Sequence, residues 1–120
     1  MKTDPVEIFQ SIRASVQPYG VLGYTVHENS EKGYDLYSEK NVQTENGKTT
    51  ERFFVGIYIN NNAVDVKLNT EEFTTSNEEL IDFGDNRAGM TITQLDDAKL
   101  KEIATFVEII HQNFKEKDWI

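Results

Sequence analysis

The sequence predicts an α+β fold: an N-terminal helix, a four- or five-stranded antiparallel sheet and a long C-terminal helix, with both helices on one sheet face. Three observations carry this. Apolar residues recur at helical spacing near both ends of the chain, and between them they alternate in short runs. Clusters of Asn and Gly separate those runs. The chain has 120 residues. That length predicts one α+β domain over 1–120, since domains hold roughly 100–150 residues. Hydrophobic residues make up 38%, which suits a packed core rather than a disordered chain.

The first helix is expected over about 4–17. Asp4 can cap it, Pro5 suits its first position and Glu7 stands at capping-box spacing. Ile8, Phe9, Ile12 and Val16 form its stripe, and Pro18 and Gly20 end it. From Val21 the apolar residues Leu22, Tyr24 and Val26 alternate with Gly23, Thr25 and His27, as in a strand. A second strand is expected over 34–42. Asn46-Gly47 is the strongest hairpin signal, because both residues accept the positive φ of a type I′ turn.

Residues 52–59 form the clearest strand. Phe53, Val55, Ile57 and Ile59 should point one way, and Phe54, Gly56 and Tyr58 the other. Val64, Val66 and Leu68 alternate with Asp65, Lys67 and Asn69, as in a strand with one wet face. A short helix is expected over 78–83 and a last strand over 90–95. The closing helix, over about 97–115 with Asp96 or Asp97 as cap, carries Leu100, Ile103, Ala104, Val107, Ile110, His111 and Phe114 on one stripe. The predicted core is Ile8, Phe9, Ile12, Val55, Ile57, Val64, Val66, Ile92, Leu100, Ile103, Val107 and Ile110.

Composition excludes several chemistries. With no Cys there is no disulfide framework, thiolate zinc site, iron–sulfur cluster or Cys nucleophile. A net charge of −9 disfavours direct binding to a nucleic-acid backbone, which wants a basic patch. An acidic mimic of DNA for a basic partner is compatible with that charge. No run approaches the ~20 apolar residues of a membrane-spanning helix, and none following residues 1–5 suits a secretory signal. A cytoplasmic protein without a membrane partner is the default expectation. No Gly-x-Ser-x-Gly, His-Glu-x-x-His or phosphate-loop motif occurs. Residues 84–89 hold two glycines without the lysine and hydroxyl of a phosphate loop, and read as a turn.

The acidity is uneven. Residues 1–50 carry 5 basic and 7 acidic side chains, whereas 51–120 carry 7 and 14. The segment 70–86 holds Glu71, Glu72, Glu78, Glu79, Asp82 and Asp85 and no Lys or Arg. These six are candidate contacts to a basic protein partner, since such a field steers cationic surfaces. They are also candidate ligands for a divalent metal, which selects carboxylate oxygens, although their spacing is not that of a calcium loop. The bland reading is a solvated loop. Tyr24, Tyr34, Tyr37, Phe54 and Tyr58 are expected on the sheet face opposite the helices, as an aromatic ligand or partner platform. A bare face of that kind would favour a homodimer; the bland alternative is that these rings are core. His111 reads as a core or boundary histidine and His27 as a surface residue at a strand end. An enzyme built on carboxylates, Tyr and His27 would need two carboxylates in one cleft with separated pKa values.

The succession Arg52-Phe53-Phe54-Val55-Gly56-Ile57-Tyr58-Ile59, a turn, 64–68, an irregular segment, then Gly89-Met90-Thr91-Ile92-Thr93-Gln94-Leu95-Asp96-Asp97 and a long helix resembles the small bacterial α+β domains of the YdhG-like type over about 52–115. That resemblance implies a leading helix, a curved antiparallel sheet and a closing helix. It also implies an iron-chaperone-type role, similar to that of frataxin, which would give the acidic charge a use. No metal-ligand residue carries over, and the turn prolines expected near the first strand are missing. The residues thus lead to a non-enzymatic binding or adaptor protein that meets a cationic partner through its acidic half. A metal (iron-type) or small-ligand carrier using 70–86 and the tyrosine-rich face is the alternative.

Overall fold

The computed structural model describes residues 1–43, 49–71, 80–84 and 86–120. The first helix, α1, spans Pro5–Val16. Asp4 caps it, its Oδ1 accepting from the Val6 amide at 2.9 Å. Its stripe of Ile8, Phe9, Ile12 and Val16 is buried. The α-helix ends before Pro18, as expected, and the chain tightens into a 3₁₀ turn, Gln17–Val21. Gly23, at φ 105°, delays the first strand. Val21 and Leu22, expected in that strand, precede it and stay exposed.

Among the described residues six strands follow, one more than the most expected: β1 Tyr24–Asn29, β2 Gly33–Gln43, β3 Thr49–Asn60, β4 Ala63–Asn69, β5 Ile81–Gly84 and β6 Arg87–Ile92. Their order is β1-β2-β3-β4-β6-β5, antiparallel throughout. The first four form a meander, and β5 lies at the edge beyond β6. Residues 81–83, expected to end a short helix, instead lie in β5, whose Ile81 pairs with Gly89. Glu78 and Glu79 of that expected helix, and the Asn46-Gly47 turn, lie outside the described residues. The last strand is Arg87–Ile92 rather than 90–95; Leu95 pairs with Lys2 through two 2.8 Å backbone hydrogen bonds.

The second helix, α2, spans Asp97–Glu116, with the Asp96 Oδ1 accepting from the Lys99 amide at 2.8 Å. The two helices pack on each other and each touches β3 and β4. They therefore share one sheet face, as expected. All predicted core residues lie in the core, Leu100 at its margin. Beyond α2 the Trp119 ring meets Phe114 edge-on at 5.3 Å and carries the Arg52 guanidinium 3.6 Å above it. No helix among the described residues is long and apolar enough to cross a membrane.

One irregularity decides which rings face where. Leu36 pairs with Val55, but Tyr37 pairs with Phe53. Phe54 is the extra residue of a β-bulge, and a bulge breaks the two-residue alternation. Phe54 and Val55 therefore both turn toward the helices, at 0% and 1% exposure. Phe53 turns away from them, beside Tyr37.

Candidate functional site

The sheet face without helices carries a connected set of polar and aromatic side chains. The pairings Asp35–Gly56, Gly56–Lys67 and Lys67–Gly89 make one row across four strands. Gly56 in that row leaves a trough, whereas at Gly89 the β4 backbone lies close, so that a Cβ would meet the Val66 carbonyl. Tyr58 folds back over the trough: a Cβ on Gly56 would collide with the Tyr58 hydroxyl. That hydroxyl donates to Asp35 Oδ2 at 2.8 Å, and Asp35 Oδ1 accepts from the Glu28 amide at 2.8 Å. Both carboxylate oxygens are thus engaged, as a buried charge requires. Burial, with the Asp35 hydrogen bond behind it, holds the Tyr58 hydroxyl well above the usual tyrosine range. It is a hydrogen-bond donor and no base.

Lys67 places its Nζ 5.2 Å from the Tyr58 ring centre and 5.1 Å from that of Phe83. In the neighbouring row Arg87 reaches from β6 across Phe53, its guanidinium carbon 4.0 Å from the ring centre, to donate to the Tyr37 hydroxyl at 3.3 Å. Among the described residues its Nε is buried without a hydrogen-bond partner. Tyr37 is sandwiched further: Phe53 stands edge-on at 5.4 Å and His27 stacks on it at 4.0 Å. At the β1 edge Glu51 accepts from the Thr25 hydroxyl at 2.5 Å and bonds the His27 Nε2 at 2.8 Å. Those two bonds, the Thr25 one first, lower the Glu51 pKa. The Thr25 hydroxyl and the His27 Nε2 thus meet at the same Glu51 oxygen rather than at each other.

This geometry corrects the expected aromatic platform. Only Tyr37 and Tyr58 of its five residues lie on the helix-free face. Phe54 is turned over by the bulge, and Tyr24 and Tyr34 sit on the helix side because they share it with Leu36, the partner of Val55. Tyr24 stacks on Phe54 at 4.1 Å, and its hydroxyl meets His111 Nδ1 at 2.7 Å. Burial raises the Tyr24 pKa, so the phenol donates and the imidazole accepts. Burial also lowers the His111 pKa. Beside them the Tyr19 hydroxyl donates to Glu108, whose pKa this bond lowers. Tyr34 is 4% exposed, with the Arg13 guanidinium 5.5 Å from its ring centre.

The acidic candidates divide as well. Glu71 is held by the Arg52 Nε, 3.2 Å from each oxygen. Asp82 is exposed on β5 and accepts from the Gly84 amide at 2.8 Å. Glu72, Glu78, Glu79 and Asp85 lie outside the described residues. Among the described residues no group of three or more His, Asp or Glu side chains could hold a metal ion. Sequence reasoning missed Phe53, Arg87, Lys67 and Asp35. Their assembly depends on strand pairing over long separations, and the one local signal was the glycine pair Gly56 and Gly89. Comparison with protein-family models, with curated proteins and with solved structures gives no match.

Proposed function

We propose that this chain is a non-enzymatic binding module that meets a cationic protein partner through its acidic half, 51–120. The observation that carries the reading is the twofold excess of acidic over basic side chains there, 14 against 7. A field of one sign raises association rates with oppositely charged surfaces, and salt screens it. Glu71 adds less to this field, because Arg52 is paired with it. The test is a pull-down from the source lysate at low and high salt, with the triple reversal Glu78→Lys, Glu79→Lys, Asp82→Lys alongside. A basic protein retained at low salt, released at high salt and lost by the reversal supports the reading. Retention of the same partner by the reversed protein, with unchanged salt dependence, overturns it.

A carrier of a small ligand on the helix-free face is the second reading, and the unpartnered Arg87 Nε against Phe53 favours it. Co-purification of a small molecule that the Arg87→Met variant no longer retains would support it. Its iron-type form, suggested by the YdhG-like resemblance, is tested by equilibrium dialysis against Fe²⁺, Mn²⁺ and Ca²⁺; no bound metal at micromolar levels removes that form. A homodimer joined through the same face would show as a doubled mass in sedimentation.

A further inference from the structure

A groove of about 430 Å³ opens between α1 and the turn joining β1 to β2. That size lies within the roughly 300–1,000 Å³ of small-molecule pockets. From α1 it takes Val6, Phe9, Gln10 and Arg13, which stand at i, i+3, i+4 and i+7 and so share one helix face. Ile59, Glu31 and Lys32 form the opposite wall. That wall is fixed: the Lys32 carbonyl accepts from the Ile59 amide at 2.8 Å, and the Ser30 amide donates to the Gly33 carbonyl at 2.9 Å. Val6, Phe9 and Ile59 make its apolar part, and Val6 remains 49% exposed.

The charges here run against the rest of the molecule. The chain is strongly acidic, yet this groove holds two cations and one carboxylate. Among the described residues neither Arg13 nor Lys32 has an ion pair; Arg13 has only the Tyr34 ring beside it. One net positive charge beside an apolar floor matches one negative charge on an apolar body. A phosphate monoester brings about 1.5–2 negative charges at neutral pH and would face Glu31 unbalanced. We propose that the groove binds a small amphipathic carboxylate, its chain or ring against Phe9, Val6 and Ile59 and its head between Arg13 and Lys32. Gln10 supplies an amide donor for a carboxylate oxygen. The proposal uses none of the residues of the acidic surface, so either can fail alone.

The probe is octanoate, titrated into the isotope-labelled full chain and followed by amide chemical shifts, with 1-octanol as the uncharged control. Octanoate should shift the Val6, Phe9, Lys32 and Ile59 amides saturably, and octanol should bind about tenfold more weakly, the ratio that one good charge contact supplies. Arg13→Gln and Lys32→Gln should each weaken octanoate about three- to tenfold without changing octanol, and Glu31→Gln should tighten octanoate. Lys32 is exposed and Arg13 half-buried, and a far-ultraviolet spectrum checks that each variant folds. The proposal is overturned if octanoate gives no saturable shift at about 10 mM. It is also overturned if octanol binds equally well, or if both neutralised variants bind octanoate unchanged.

Discussion

On the helix-covered face, Phe54, Val55 and Ile57 are at most 1% exposed and touch rings and aliphatic chains from both helices. On the other face of the same strand, Phe53 and Tyr58 touch charged groups: Arg87 lies on one, and Asp35 and Lys67 hold the other. The first set depends on volume, because dispersion and burial are non-directional. The second depends on donors meeting acceptors, so removing one partner matters more than removing area. One strand thus carries two kinds of stabilisation, separated by a single bulged residue.

The largest test of that contrast is Phe54→Ala. The ring is fully buried against Tyr19, Tyr24 and Phe114, at centre distances of 5.7, 4.1 and 5.4 Å. Its removal should cost about 3–5 kcal/mol, read as a lower urea midpoint. Phe53→Ala, on the other face, should cost clearly less, because Arg87 can settle into the space. Equal costs would mean that the two faces are packed alike.

How much of this was legible depends on how local each signal is. The helices were readable because caps and stripes sit within a few residues: Asp4-Pro5, Asp96 and the 100–114 repeat all act where the sequence placed them. The alternation of β4 was equally plain. The Phe54 bulge was not, since nothing in Phe53-Phe54-Val55 says which ring will be the unpaired one; that is settled by Leu36 and Tyr37 on β2. The strand β5 was hidden because four residues have little periodicity and its pairing with β6 supplies the missing term. The same holds for the site. Tyr37 and Tyr58 were found by type, whereas Arg87 reaches Tyr37 from fifty residues away in sequence.

Next in size is Tyr58→Phe. It removes the donor to Asp35 Oδ2 while keeping the ring, and Asp35 is 6% exposed. A buried acceptor left without a partner costs about 1–3 kcal/mol. Tyr37→Phe should cost less, because the Arg87 bond it removes is long, 3.3 Å, and the ring keeps its contacts with Phe53 and His27. If both substitutions were neutral, the helix-free face would be held by ring area alone.

The helix-covered side has its own polar exception, and pH isolates it. His111 is 6% exposed and its folded pKa is lowered by burial. The folded state therefore binds fewer protons than the unfolded one as pH falls through the ordinary histidine value of about 6.5. Stability is fully present above that value and is lost as pH drops toward the folded pKa, by at most about 1.4 kcal/mol per pH unit. Urea midpoints measured between pH 7.5 and 5.5 should decline in the parent chain. His111→Gln, which keeps an acceptor for the Tyr24 hydroxyl, should flatten that decline.

The smallest effect should come from Lys67→Gln. The ammonium lies 5.2 and 5.1 Å from two ring centres, and a cation–π contact that is not desolvated contributes about 0.5–1 kcal/mol. The loss should shrink in high salt more slowly than that of a surface ion pair, because a ring quadrupole carries no net charge to be screened. That salt profile separates the two ways Lys67 could matter here. If Lys67→Gln cost several kcal/mol, Lys67 would be holding Tyr58 over Gly56 and so fixing the Asp35 bond, making the helix-free face a cooperative unit. If the cost is small and nearly salt-independent, Tyr58 and Asp35 hold the trough by themselves. Lys67 would then be free to swing aside and leave the Tyr58 and Phe83 rings open to a cationic side chain from a partner.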